Sequence, residues 1–132
     1  MDPQRIAGMS PFADLDDGER AEVAACLREV KVEPGTTLMS QGDSAYEFFV
    51  IEAGEAEVHK DGQVIATVGP GDVIGEIGML VTGARRSSVV ATAPMTLVAM
   101  FTREFKQVEK RMPTIAERLR AIMAERVART SL

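Results

Sequence analysis

The feature that most constrains this chain is the rhythm between Pro34-Gly35 and Phe101, where short apolar segments are cut at close intervals by glycine-bearing turns. TTLM is followed by QGDSA, YEFFVIE by AG, EAEVHK by DG, and QVIATV by GPGD. Asp61-Gly62 is the firmest of these turns, because a two-residue hairpin turn needs positive φ, which Asp tolerates and Gly adopts freely. Further on, SVVATAPMTLVAMF supplies two more strand-like runs, broken at Ala93-Pro94. Some seven or eight short strands at this spacing predict a mainly β domain with flanking helices. The expected core over residues 35–101 is a double-sheet β-roll of the jelly-roll (double-stranded β-helix) kind or a sandwich, not a parallel sheet.

Helical periodicity brackets the strands. Residues 15–30, LDDGERAEVAACLREV, open with capping-type aspartates and place Ala24, Leu27 and Val30 at helical spacing, which predicts a short amphipathic helix on the domain's edge. C-terminal helices are expected over 102–130. Thr102 can cap TREFKQVEK, and Pro113 suits the first turn of PTIAERLRAIMAERVART. Ile115, Leu119, Ile122, Met123 and Val127 form one apolar stripe on that last helix, to be buried on its own roll or on another subunit. With 132 residues and no repeat or linker, one domain over 1–132 is expected. No helix-turn-helix, kinase segment or channel span follows it, so the domain is expected either to act alone on a partner or to be part of something larger.

Composition removes several functions. A formal charge of −5 disfavours a nucleic-acid binder, which needs clustered Lys and Arg, and the absence of Trp leaves few stacking platforms. The eight Met are scattered and read as core filler. No apolar run approaches the ~20 residues of a membrane span, and MDPQRIAGMS lacks the pattern of an export signal. The single Cys26 cannot form an internal disulfide and reads as an inert thiol, consistent with a cytoplasmic location. His59 is the only histidine, so the sites of metal-dependent cupin enzymes, which share a similar β-roll but need several His with a carboxylate, have no counterpart, and no Ser-His or Cys-His pair is credible. We therefore expect no catalytic residue, no metal and no cofactor.

One stretch departs from sheet core: GEIGMLVTGARRSS, residues 75–88. A turn over Gly75 to Gly78 would present free backbone N–H groups, and Arg85, nine positions after Glu76, can fold back to aim a guanidinium at the same point. Arg offers a planar fork of donors suited to phosphate, whereas a carboxylate only accepts and suits a sugar hydroxyl. A nucleotide held by its ribose and phosphate explains both charges. An exposed Glu76–Arg85 salt bridge would account for the charges too, but not for Gly75 and Gly78, which weaken such a turn.

At these residues the sequence resembles the cyclic nucleotide-binding domains of catabolite-activator-like regulators, cyclic-nucleotide-dependent kinases and gated channels. Gly75, Glu76, Ile77, Gly78, Arg85, Ser87, Ser88 and Val89 look like that family's phosphate-binding cassette, and Gly42, Gly54 and Gly71 stand at its upstream turns. The resemblance implies that Glu76 holds the ribose 2′-OH, that Arg85 holds the cyclic phosphate, and that N–H groups near Gly78 and Arg86 complete the cradle. Two registers stay open. Arg86-Ser87-Ser88 also fits the bacterial activator pattern, with Arg86 on the phosphate and the Ser87 hydroxyl beside it; the match without a gap favours Arg85. Ala84 stands where the family usually has proline, which implies a less rigid free loop. The implied function is a cyclic nucleotide sensor, cAMP ahead of cGMP although Ser88 tilts toward cGMP, in which Leu80 shifts against Phe105 and the terminal helix. Its implied partner is an effector protein or a second copy docked through that helix. The competing expectation is a β-roll interaction module without a ligand.

Overall fold

The run Glu47–Ala53, EFFVIEA, is buried on both faces over most of its length, and the architecture follows from what covers each face. The computed structural model describes residues 1–75 and 83–130, with the backbone alone over 122–130. Among them are the strands β1 (Arg28–Val32), β2 (Thr37–Met39), β3 (Glu47–Ala53), β4 (Ala56–Lys60), β5 (Gln63–Val68), β6 (Val73–Ile74), β7 (Ser88–Ala91) and β8 (Met95–Phe101). They form two antiparallel four-stranded sheets, ordered β1-β8-β3-β6 and β2-β7-β4-β5. This is the expected mainly β roll, and Asp61 and Gly62 turn the β4–β5 hairpin with φ of 52° and 80°.

Alternate side chains of a strand face opposite ways. Phe49 and Ile51 of β3 therefore enter the layer between the sheets, with Met39, Val89 and Leu97. Phe48 and Val50 point to the outer face of the first sheet, where helices cover them. Those helices are α1 (Pro3–Ile6), α2 (Asp17–Ala24), α3 (Thr102–Arg111) and α4 (Pro113–Thr130). Phe105 of α3 meets Phe48 edge to face at 6.2 Å, and Ile115 and Leu119 of α4 are buried in the same cluster. The terminal stripe thus begins by packing on its own roll. Ile122, Met123 and Val127 lie outside the described side chains. Arg5 fastens α1 to the sheet by donating to both carboxylate oxygens of Glu52 at 2.8 and 2.7 Å and pairing with Glu29. These hydrogen bonds hold the Glu52 carboxyl below its ordinary range. No described helix is long and apolar enough to cross a membrane.

Two expectations are corrected. The helix expected over 15–30 starts with a reciprocal Asp16–Glu19 capping box but ends at Ala24, and Arg28–Val32 is a strand instead. Ala24, Leu27 and Val30 have helical spacing, but pairing of β1 with β8 from Arg28↔Ala99 to Val32↔Met95 outweighs that local preference. Cys26 consequently lies in the turn before β1, half-buried, and burial pushes its thiol up. Nor does Thr102 cap α3. β8 runs straight into the helix, so Phe101 occupies the cap position, and the Glu104 side chain accepts the Phe101 N–H at 3.3 Å.

The turn into β4 depends on a glycine. Gly54 has φ +95°, and a Cβ there would lie 2.4 Å from the Pro94 carbonyl oxygen and 2.8 Å from the Met95 Cα. Both obstacles are backbone, so the ladder itself would have to move. Gly54→Ala is expected to cost about 2–4 kcal/mol of stability in urea unfolding. A loss within ~0.5 kcal/mol would show that the β3–β4 turn tolerates a side chain.

Candidate functional site

The site is built where the first sheet ends. β6 lies beside β3 through Val50↔Val73 and Phe49↔Ile74, and the chain leaves it at Gly75 with φ +86°. It returns at Gly83 alongside the loop after β2, and that loop grips it by its backbone. Ala45 N–H donates to the Gly83 carbonyl at 3.0 Å, Arg85 N–H to that of Asp43 at 2.7 Å, and Gly42 N–H to that of Arg85 at 2.9 Å. A bridge between Ser44 and Ala84 lies within this ladder, and the Gln41 N–H donates to the Ser88 hydroxyl at 2.8 Å where β7 begins. Pairing on this scale fixes the backbone at Ala84 without the rigidity a proline would bring.

The ladder also decides which way neighbouring side chains face. Arg85 is turned inward and only 6% exposed, whereas Arg86 is exposed to solvent. The Arg85 Nη1 donates to the Gly75 carbonyl at 3.0 Å. A Cβ on Gly75 would stand 2.5 Å from that nitrogen, so the guanidinium occupies space that only a glycine leaves. Thus Gly75 and Arg85 are brought together across ten positions of sequence. Ser87 is half-buried beside them, and Ser88 has its hydroxyl engaged by the Gln41 amide. Glu76, Ile77 and Gly78 lie outside the described residues, as does Leu80.

The sequence reading missed the loop Gln41–Ala45 as the holder of Arg85. Its visible signal was Gly42, which takes φ +91°, but the contacts it makes are backbone ones that side-chain identities do not announce. Glu47 was missed as well. It is a buried carboxylate paired with Arg28 on β1, and its carbonyl approaches to 3.2 Å the point where a Gly75 Cβ would sit. Elsewhere His59, on β4, lies 3.3 Å from Glu57, and among the described residues no three His, Cys, Asp or Glu gather as a metal site would require. Chemically, the arrangement is a guanidinium held in a set orientation at the end of a strand, in surroundings of low exposure. There its N–H donors act on an anion more strongly than they would in water.

Comparison with known proteins gives this geometry its family. The sequence profile described as "Cyclic nucleotide-binding domain" matches residues 29–111. A cAMP-dependent protein kinase regulatory subunit from Yarrowia lipolytica is 32% identical over 97 residues, which is 74% of this chain and 26% of the relative. A cyclic AMP receptor protein from Thermus thermophilus is 28% identical over 120 residues, 86% of this chain and 56% of the relative. A crystal structure of a protein from Geobacter metallireducens covers 100% of this chain, and 99% of its own, with a TM-score of 0.87 at 19% identity, a likeness of fold. The chain belongs to the cyclic nucleotide-binding domain family and is a regulatory, ligand-binding β-roll. It spans between about a quarter and a little over half of the length of these two curated relatives.

Proposed function

We propose that this domain is a sensor of cAMP, ahead of cGMP, that binds the ribose and cyclic phosphate at Gly75–Gly78 and Arg85–Ser88 and passes occupancy to its C-terminal helices without catalysing a reaction. The observation that carries the reading is the buried Arg85, whose backbone is held by the Gly42–Ala45 loop and whose guanidinium donates to the Gly75 carbonyl. That the two curated relatives are a cAMP-dependent kinase subunit and a cyclic AMP receptor supports the choice of purine. In this reading Arg85 holds the phosphate, Glu76 accepts from the ribose 2′-OH, N–H groups near Gly78 and Arg86 complete the cradle, and no cofactor is needed. Arg86, facing solvent, contributes its backbone and not its charge.

The route outward runs through the start of β3. Ala45 is bonded to Gly83, and Tyr46 next to it accepts the Thr102 N–H at 2.9 Å, where α3 begins. A shift of the cassette therefore reaches the first turn of α3 through two backbone hydrogen bonds. The ligand moves the helices only by as much as its affinity differs between their two arrangements. The output is an effector or a second copy of this chain engaged through the C-terminal helices.

Calorimetric titration of the chain with cAMP and with cGMP tests the reading directly. Binding of cAMP at least ~10-fold tighter than cGMP is expected. Absence of heat and of thermal stabilisation with either would leave only a β-roll interaction module. For the ribose, 2′-deoxy-cAMP is expected to bind ~10–100-fold more weakly, the loss of a hydrogen bond to a charged acceptor, and Glu76→Gln to narrow that gap. Equal affinity for the two nucleotides would remove the role given to Glu76.

A further inference from the structure

On the side of the fold where β8 passes into α3, Tyr46, Phe101, Thr102, Arg103 and Lys106 line an open groove of about 470 Å³. Tyr46 is the most exposed large apolar side chain among the described residues, at 57%, and its ring lies nearly parallel to Phe101 with centroids 6.1 Å apart. The Arg28 and Arg103 guanidinium carbons sit 4.6 and 5.2 Å from the Phe101 centroid. Arg28 is neutralised by Glu47, but Arg103 and Lys106 are exposed and form no ion pair among the described residues. The Thr102 hydroxyl, buried at the groove's wall, likewise has no hydrogen-bond partner among them.

We propose that this groove docks an acidic segment of a partner protein that carries an aromatic side chain. Two properties coincide there. Stacked aromatic rings offer the rigid apolar area that dominates the energy of protein interfaces, and Tyr and Arg are the residue types found at their energetic centres. Arg103 and Lys106 form a cationic rim on a chain whose formal charge is −5, so the groove attracts what the rest of the surface repels. A partner's aromatic ring stacks on Tyr46 while its flanking carboxylates meet Arg103 and Lys106. The inference does not rest on nucleotide binding, since none of these side chains belongs to the cassette.

The test is fluorescence anisotropy of the full chain with three labelled peptides: Asp-Glu-Trp-Glu-Asp, the same peptide with alanine for tryptophan, and Lys-Lys-Trp-Lys-Lys. The acidic aromatic peptide is expected to bind at least ~10-fold tighter than either other, less tightly as salt is raised. Arg103→Glu combined with Lys106→Glu is expected to weaken it at least ~10-fold, and Tyr46→Ala at least ~5-fold, with the urea-unfolding curve of each variant as the check on folding. Equal binding of the three peptides, or undiminished binding by the charge-reversed variant, would overturn the proposal. So would preference for phosphatidylserine vesicles or duplex DNA over the peptide, or a chain dimer that the same substitutions dissolve.

Discussion

Arg85→Ala is expected to weaken cAMP binding by ~100-fold or more, whereas Arg86→Ala stays within ~3-fold of the unmodified protein. A charge-assisted hydrogen bond in a site of low exposure is worth about 1.5–3 kcal/mol, and a guanidinium fork facing a phosphate makes two. Arg85 is buried with its Nη1 already bonded to the Gly75 carbonyl, so its removal also takes that donor away, at about 1 kcal/mol of stability. Arg86 is solvated, where a charge interacts weakly with anything beyond contact distance. Arg85→Lys is expected to fall between, roughly 10-fold down, because an ammonium supplies charge without the fork. Calorimetry on the three variants, with unfolding curves to separate binding from folding, makes the comparison. A larger loss from Arg86→Ala than from Arg85→Ala would transfer the phosphate to the other register.

The choice between those arginines shows what a sequence can and cannot carry. Two adjacent side chains on an extended segment face opposite ways, so one of the pair turns inward in either register. Which one does so is set by the Ser44–Ala84 bridge and by the Gln41–Ser88 hydrogen bond, contacts between segments some forty residues apart that leave no mark on residue type. The roll itself was legible because its signals are local. Asp61-Gly62 dictates a hairpin, and the FFVI run of β3 is apolar at every position because both its faces are covered. β1 was not legible. REVKV places Val30 at a spacing that also continues the preceding helix, and only the edge of β8, beyond the reach of local pattern, decides in favour of a strand. The helix cap at Thr102 failed for a related reason: continuity of β8 with α3 fixes the backbone before any side chain can choose.

Gly75→Ala is expected to weaken cAMP binding ~10–100-fold although it removes no charged group. The added methyl would meet the Arg85 Nη1 at 2.5 Å, the Met39 methyl at 3.0 Å and the Glu47 carbonyl at 3.2 Å. Of these the carbonyl belongs to β3, held by β8 along its length, and yields least. The Arg85 Nη1 is instead the far end of a long side chain with several rotatable bonds, so the guanidinium is what gives way. The residue must also hold φ +86°, and that strain is expected to cost about 1–2 kcal/mol of stability. Misplacing Arg85 and deleting it are then two routes to one loss, which a double-mutant cycle exposes. Gly75→Ala combined with Arg85→Ala is expected to bind cAMP no more weakly than Arg85→Ala alone, since the displaced group is already gone. Full additivity in that cycle would mean that the glycine serves the nucleotide by some contact of its own. Affinity retained by the single Gly75→Ala variant within ~3-fold would mean that the guanidinium does its work somewhere other than over this glycine.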